Sequence, residues 1–302
     1  MNTAVPETSF SGNGFSEHSS LYGILYLVAT PVGNLGDISP RALEILRSAD
    51  FIAAEDTRVT VKLLNHFDIR RPLVSYHEHN HVSAGQSILK RLQNGESCAL
   101  VTDAGTPAIS DPGEELVRLC AENGITVSGI PGCCAAVNAL AVSGLPTGRF
   151  VFEGFLSVQR KNRMERLEAL RNEPRTMIFY EAPHKLCTTL ADLCAVFGSE
   201  RAVTLCREMT KVHEEIVRTT LGGALAHCQE MSPRGEYVLV VAGAEPSGTD
   251  SSTVPFAEAV AEVERLHADG LRLKDAVQEV ALRTGHARNA LYHAAAERHD
   301  KE

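Results

Sequence analysis

The chain has 302 residues, 44% of them apolar, so it can bury a large core and is predicted to fold as two domains of ordinary size. Its formal net charge of −9 argues against a protein that binds nucleic acid through non-specific charge, but it leaves room for local basic patches. No apolar run approaches the roughly 20 residues that span a bilayer, which predicts a soluble protein with no membrane partner.

The N-terminal residues 1–20 are rich in Ser, Asn and Gly and lack the apolar and basic stretches of a signal peptide. They are predicted to form a disordered tail on a cytoplasmic protein. The eight cysteines of the chain include no C-x-x-C pair, and most lie inside apolar patterns. This usage favours reduced, buried thiols over a disulfide framework.

Strand and helix signals alternate over residues 21–144, which predicts a mostly parallel α/β domain. The first strand starts at Leu25 and breaks into a loop rich in Pro and Gly, and further short apolar runs follow along the chain. These runs predict strands at 51–54, 98–102 and 125–130. Helices are predicted at 41–48 behind the Ser39-Pro40 cap, at 84–94 behind the capping box Ser83-x-x-Gln86, and from Asp111 to Gly124.

A second domain is predicted at 145–243, because the Leu145-Pro146-Thr147-Gly148 stretch breaks the pattern before strand signals resume. Only three helical patterns separate its five strands, so some strands must adjoin directly and pair antiparallel. The second domain is therefore predicted to contain a mixed sheet. Its strands are predicted at 150–155, 176–180, 202–207, 215–220 and 237–242, and its helices at 161–172, 184–197 and 223–230.

Residues 244–254 are a linker by composition, and a small helical module is predicted at 255–302. Three helical patterns occupy 256–268, 274–283 and 288–298, and the last two have the outline of a helix-turn-helix. Because this segment is net acidic, recognition of DNA by it is disfavoured.

Three loops follow strands of the predicted parallel sheet and consist largely of small residues, at 31–36, 101–113 and 130–132. Ligands of open α/β sheets bind at the carboxyl ends of strands, so these loops are predicted to converge on a small-molecule site. Asp103 and Thr106 lie in one of these loops and are predicted to bind hydroxyls or an ammonium group. No G-x-G-x-x-G or P-loop motif occurs, which argues against the ordinary nucleotide-binding folds.

Charged residues also follow a buried strand in Glu55-Asp56-Thr57-Arg58, which favours substrate handling over simple helix capping. A run of basic residues, Arg160, Lys161, Arg163 and Arg166, is equally compatible with phosphate contacts and with a solvated helix start. Glu181 and His184 either transfer protons or cap a helix.

Two further motifs are given non-catalytic interpretations. The alternating histidines of His77-Glu78-His79-Asn80-His81 lack an obvious third metal ligand, so a polar loop is favoured and no metal site is predicted. Cys133 and Cys134 open a helix, where small cysteines are more often packed than nucleophilic.

Taken in order, the motifs at 30–38, 53–58, 103–113, 153–156, 179–181 and 207–211 resemble those of the tetrapyrrole methylase superfamily. The likeness extends from about Leu25 to Tyr292 and is greatest to the branch of small-subunit ribosomal RNA (cytidine-2′-O)-methyltransferases. The resemblance implies a two-domain α/β fold, with a mostly parallel first sheet and a mixed second sheet. It also implies S-adenosylmethionine in the cleft between the domains, a homodimer, and 16S ribosomal RNA, as an assembled particle, for substrate.

The predicted site residues fall into three groups, of which the cofactor positions are carried over from the resemblance. The cofactor positions are Pro31, Ala104, Gly105, Thr106, Ile109, Cys134, Ala135, Glu181 and Met209. Candidate bases for the ribose hydroxyl are Asp37, Glu55, Asp56 and Asp103. Candidate phosphate contacts are Arg58, Arg160, Lys161 and Arg163.

Three positions depart from the superfamily pattern. Cys133 and Ser157 stand where Pro is common, and Cys134 stands where Ser or Thr is frequent, which puts a side-chain hydroxyl contact to the cofactor there in doubt. Two alternative functions remain. One is methylation of a tetrapyrrole carbon on the same fold, and the other is a non-enzymatic nucleic-acid-binding protein acting through 256–298.

Overall fold

The computed structural model describes residues 22–230, 232–245 and 254–299. The predicted tail at 1–20 and most of the predicted linker lie outside these residues. Within the described segments, no helix has both the length and the apolar character needed to cross a membrane.

The first sheet has five strands in the order β3-β2-β4-β1-β5, and every pairing in it is parallel. Its central strands are short apolar runs, and every residue of β2 and β4 is buried because helices cover both faces. The strands are β1 (Ile24–Val28), β2 (Phe51–Ala54), β3 (Leu73–Ser75), β4 (Cys98–Val101) and β5 (Thr126–Ile130). The helices are α1 (Pro40–Ser48), α2 (Thr57–His66), α3 (His81–Gln93), α4 (Glu114–Glu122) and α5 (Ala135–Ser143).

Helix starts in this half show where local signals succeed and fail. Ser39 caps α1 as predicted, because its side chain accepts a hydrogen bond from the Ala42 amide. The capping box at Ser83 is wrong: α3 begins at His81, and the Ser83 hydroxyl donates to the Asn80 carbonyl from inside the helix. Helix α2 has no counterpart in the sequence prediction, because its β-branched residues favour strands.

The second sheet is mixed, as predicted, with the order β6-β7-β10-β8-β9. Strands β6 and β7 are parallel, and the remaining pairs are antiparallel. The strands are β6 (Phe150–Phe155), β7 (Thr176–Glu181), β8 (Ala202–Arg207), β9 (Glu215–Thr220) and β10 (Tyr237–Val241). The helices are α6 (Arg160–Ala169), α7 (Leu186–Phe197) and α8 (Leu221–Glu230).

Helix α5 joins the two sheets into one structure. It follows the last strand of the first sheet, yet its buried residues Ala136, Ala139 and Leu140 pack against Ile178 and Val240 of the second sheet. The opposite face of the second sheet is covered by α7 and α8, whose leucines form the largest apolar cluster with Met177, Phe179 and Leu239. Loops at the carboxyl ends of the first sheet also face the second sheet, since residues of both line one cavity.

One cysteine pair departs from the predicted pattern of reduced, buried thiols. Cys187 of α7 and Cys228 of α8 form a disulfide, while the other six cysteines are free. Helix packing brings the two residues together across 41 positions of sequence, a separation that carries no local pattern.

The C-terminal helices pack around a core of their own. They are α9 (Phe256–Ala268), α10 (Leu273–Thr284) and α11 (Arg288–His299). Val260, Val263, Val277 and Leu291 lie at the centre of this core. Gly285 ends α10 in the left-handed conformation and allows the turn into α11.

Candidate functional site

A cavity of about 550 Å³ lies between the carboxyl ends of the first sheet and the second sheet. Eight of the nine predicted cofactor positions line it. These are Ala104, Gly105, Thr106, Ile109, Cys134, Ala135, Glu181 and Met209. The ninth, Pro31, lines a neighbouring cavity of about 380 Å³ instead.

Hydrogen bonds fix the loops that surround the larger cavity. Thr30 and Gly105 pair through both backbone groups, with N···O distances of 2.9 and 3.0 Å. The Thr106 hydroxyl donates to the Cys133 carbonyl at 2.9 Å, which joins the loops after β4 and β5. The Thr210 hydroxyl donates to the Val32 carbonyl at 2.8 Å and ties the second half of the chain to the first loop. The loops are thus held in place by the protein itself.

Two apolar residues of the cavity sit between residues in the left-handed backbone conformation. Ile109 lies between Ala108 (φ 68°) and Ser110 (φ 64°), and Met209 lies between Glu208 (φ 49°) and Thr210 (φ 66°). This conformation is uncommon outside glycine and strained for residues with a Cβ atom, and such strain concentrates at functional sites. The repeated arrangement marks both loops as parts of the site.

Five carboxyl groups line the larger cavity, those of Glu55, Asp103, Asp111, Glu181 and Glu236. Burial raises the pKa of Glu55 and of Asp103 above their ordinary values. Burial, and secondly the neighbouring Glu55 and Asp103 carboxylates, raise the pKa of Asp111 to about 7. The sequence predicts Asp111 as part of a helix start, and no local pattern shows that Glu55 from another loop lies beside it.

Glu55 and Asp103 are also linked to each other. The Asp103 amide donates to Glu55 Oε2 at 3.3 Å. Asp103 in turn accepts a hydrogen bond from the Asp56 amide through Oδ1. The structure therefore brings three of the four candidate bases together at the ends of β2 and β4.

Asp56 and Asp37 are placed differently from the other candidate bases, because neither lines the two cavities. Asp56 caps α2 by accepting from the Arg58 amide at 2.8 Å and pairs with the Arg58 guanidinium at 2.6 Å. Side-chain and backbone hydrogen bonds from Arg58 lower the pKa of Asp56 to about 2. Asp37 ends a short 3₁₀ helix, Leu35–Asp37, in the first loop.

Glu181 lines the cavity, but protein groups already engage both of its carboxylate oxygens. Oε1 accepts from the Ala182 amide at 2.8 Å, and Oε2 accepts from the Thr189 hydroxyl at 2.5 Å. His184 also lines the cavity. Cys134 is the N-cap residue of α5 and makes no side-chain capping bond.

Tyr180 is a cavity residue to which the sequence assigned no role of its own. Its hydroxyl accepts a hydrogen bond from the Ala136 amide at 3.1 Å, and its ring meets that of Phe155 edge-on. Both aromatic side chains line the cavity.

The basic run at the start of α6 separates into buried and exposed members. Arg163 is buried and pairs with the buried carboxylate of Asp192 at 2.8 Å, so its prediction as a phosphate contact is wrong. Arg166 forms two hydrogen bonds with Glu153. Arg160 and Lys161 are exposed, and both remain candidate phosphate contacts.

The described residues contain no group of three or more His, Cys, Asp or Glu side chains arranged to hold a metal ion.

Comparison with known proteins matches two family profiles to the chain. One, described as Tetrapyrrole (Corrin/Porphyrin) Methylases, matches residues 24–225, and the other, described as RsmI C-terminal HTH domain, matches residues 254–299.

Two relatives with well-matched lengths carry the same protein name. The chain is 52% identical over 272 residues to ribosomal RNA small subunit methyltransferase I of Synechocystis sp., covering 89% of this chain and 96% of the relative. It is 47% identical over 277 residues to the protein of that name from Escherichia coli O157:H7, covering 91% and 95%.

Solved structures with lower sequence identity share the fold. A cobalt precorrin-4 methyltransferase superposes with a TM-score of 0.56 at 18% identity, covering 72% of this chain and 94% of the other. A diphthine synthase gives a TM-score of 0.56 at 14% identity, covering 73% and 90%. At these identities the likeness establishes the α/β architecture alone.

Proposed function

The chain belongs to the tetrapyrrole (corrin/porphyrin) methylases, and from this membership we propose that it transfers a methyl group from S-adenosylmethionine to the 2′-hydroxyl of a cytidine in the small-subunit ribosomal RNA, the 16S RNA. The observation that carries the proposal is the cavity of about 550 Å³, which gathers eight predicted cofactor positions from separate loops. The relatives named ribosomal RNA small subunit methyltransferase I support RNA over a tetrapyrrole as the methyl acceptor.

The residues around the cavity suit S-adenosylmethionine in size and charge. Its volume falls in the range of roughly 300–1,000 Å³ typical of small-molecule sites. Ala104 and Gly105 let a ligand approach the backbone closely, and Ile109 and Met209 offer apolar contacts. Glu55, Asp103 and Asp111 favour a cationic ligand. When bound, this cofactor supplies an electrophilic methyl group on a positively charged sulfur.

Asp103 is the group that we assign to accept the proton of the ribose hydroxyl. It lines both the larger cavity and the neighbouring cavity of about 380 Å³, so a substrate hydroxyl between them would lie beside it. Its raised pKa brings its basicity closer to neutral pH, where a general base works best. Glu55 is the second candidate. Asp56 is a weaker base because hydrogen bonds with Arg58 hold its pKa at about 2.

The proposal also covers the compartment and oligomeric state of the enzyme and the form of its RNA substrate. We place the protein in the cytoplasm, as a homodimer, acting on an assembled small subunit. A net charge of −9 disfavours capture of free RNA by charge alone, whereas a ribosomal particle also offers shape and local contacts. Arg58, Arg160 and Lys161 are the exposed groups assigned to phosphate contact.

Mapping of 2′-O-methylation in the ribosomal RNA of deletion and complemented cells tests this function. We expect one cytidine of the small-subunit RNA to lose its methyl group on deletion and to regain it with the wild-type gene. Complementation with Asp103→Asn should leave the nucleotide unmethylated at equal protein level. Unchanged ribosomal RNA together with methylation of a tetrapyrrole by the purified protein would establish the alternative acceptor.

A further inference from the structure

The cavity of about 380 Å³ lies directly beside the cofactor cavity and shares a wall with it. Val32, Asp103, Ala104 and Glu236 line both cavities. An acceptor hydroxyl must meet the methyl group in line, so the acceptor has to occupy space that adjoins the cofactor. The second cavity is such a space, because it adjoins the cofactor cavity at Asp103.

Apolar side chains form one wall of the second cavity. Leu35 of the first loop and Val59 and Leu63 of α2 line it, although Leu35 and Val59 keep 41% and 38% of their surface exposed. Exposed large apolar side chains that gather at one place mark a binding surface. A flat, weakly polar group such as a nucleobase fits against a wall of this kind.

Positive charge lies on the same helix. Arg58 and Lys62 are four residues apart, so both face one side of α2, and Lys62 lines the cavity. Within the described residues Lys62 has no ion-pair partner. Arg58 pairs along one edge with Asp56 and leaves 87% of its side chain exposed. Both cations are accessible to phosphate groups.

Lys211 also lines the cavity, but unlike Lys62 its charge is neutralised by two carboxylates. Its Nζ lies 2.8 Å from Glu208 and 2.9 Å from Glu236. Its carbon chain packs over Gly33, where an added Cβ atom would lie 2.5 Å from Lys211 Cγ. Lys211 therefore shapes the cavity, and Lys62 is the cavity-lining cation left for a ligand.

We propose that the second cavity receives the target nucleoside of the RNA, with its base against Leu35, Val59 and Leu63 and its flanking phosphates at Lys62 and Arg58. Its ribose hydroxyl then faces Asp103 on the shared wall. This assignment rests on the proposed function, because it takes RNA as the acceptor.

Two substitutions probe the cavity with purified small subunits and labelled S-adenosylmethionine. Val59→Trp fills the space for the base, and Lys62→Glu reverses the charge at its rim. We expect each to raise KM for the subunits about tenfold or more while the Kd of S-adenosylmethionine stays within about twofold. Lys62→Ala should lower the slope of log KM against log salt by about one, as loss of one phosphate contact does. Lys62→Arg should restore KM.

Lys90→Ala is the matched control, since Lys90 is an exposed lysine on α3 that lines neither cavity. Normal KM values in Lys62→Glu and Val59→Trp beside an active wild type would overturn this assignment and leave the proposed function standing. A wild-type protein that methylates no small subunit would overturn both. If Val59→Trp fails to fold, the exposed Lys62 variants decide the matter.

Discussion

The backbone amide of Asp56 donates a hydrogen bond to Oδ1 of Asp103 at 3.2 Å, so two of the candidate bases touch each other at the edge of the first sheet. Their environments nevertheless differ. Asp103 lines both cavities and has a raised pKa, whereas Asp56 is held by Arg58 with a pKa of about 2.

The difference predicts opposite effects of two matched substitutions. Asp103→Asn should lower the single-turnover methylation rate on the order of 10²-fold, because it removes the general base. Asp56→Asn should leave this rate close to that of the wild type, because Asn still caps α2. Calorimetry should give similar affinities for S-adenosylmethionine in both. Loss of rate in Asp56→Asn alone would reverse the assignment.

Asp111→Asn should stabilise the free protein at alkaline pH. The pKa of Asp111 rises from its ordinary value to about 7 on folding, so ionising it costs the folded state more than the unfolded chain. The penalty is small at pH 4, grows up to about pH 7 and is then constant. We expect the melting temperature of Asp111→Asn to exceed that of the wild type by a few °C at pH 8 and to match it near pH 4.

Binding of the cationic cofactor should favour the wild type over Asp111→Asn at high pH. A sulfonium near Asp111 favours the ionised carboxylate, so wild-type affinity for S-adenosylmethionine should rise as pH increases through about 7. Asp111→Asn should abolish this dependence. Titration calorimetry at pH 6 and pH 8 measures both proteins, and an equal pH dependence in the two would exclude Asp111 as its source.

The disulfide predicts a definite thiol count. Protein unfolded without reductant should react with maleimide at six cysteines, and at eight after reduction, because Cys187 and Cys228 are paired. Closure of a 41-residue separation should contribute about 4 kcal/mol to the free energy of unfolding. Mass spectrometry counts the labels, and eight labels on freshly purified, unreduced protein would show that the pair is open.

Arg163 should matter for stability and not for RNA. Arg163→Met leaves the buried Asp192 carboxylate with only the longer contact to Arg160 at 3.7 Å, which should cost about 3 kcal/mol in the free energy of unfolding. Lys161→Ala, a change at an exposed position of the same helix, should stay within about 0.5 kcal/mol. Urea denaturation compares the two variants. Equal midpoints would mean that the ion pair contributes nothing measurable.

Most of the fold follows from local patterns that the sequence displays directly. The apolar run of β2 and the Ser39 cap each specify an element without help from distant residues, and both were predicted. Likewise, the small residues after β1 and β4 indicated a ligand site, because the ends of parallel strands share one edge. Helix α2 escaped prediction because its β-branched residues oppose the helix that the Asp56 cap begins.

The remaining features depend on contacts between distant parts of the chain. Asp111 acquires its raised pKa from burial and from Glu55, which lies 56 positions away in sequence. The basic run around Arg163 indicates a surface residue, but Arg163 is buried because it pairs with Asp192 of α7. The second cavity likewise gathers residues as far apart in sequence as Val32, Val59 and Lys211. None of these neighbours is visible in a sequence window.

The left-handed residues on either side of Ile109 and Met209 lower the stability of the protein and hold the loops in the conformation that the site requires. Each such residue costs the native state on the order of 1 kcal/mol, which glycine at the same position would relieve. A selection for thermostable variants would therefore favour glycine at Ala108 or Ser110, because Glu208 and Thr210 make side-chain contacts with Lys211 and Val32 that glycine would remove. Glycine would also let the loop leave the conformation that the site requires. The most thermostable variants from such a selection should therefore be among the slowest enzymes.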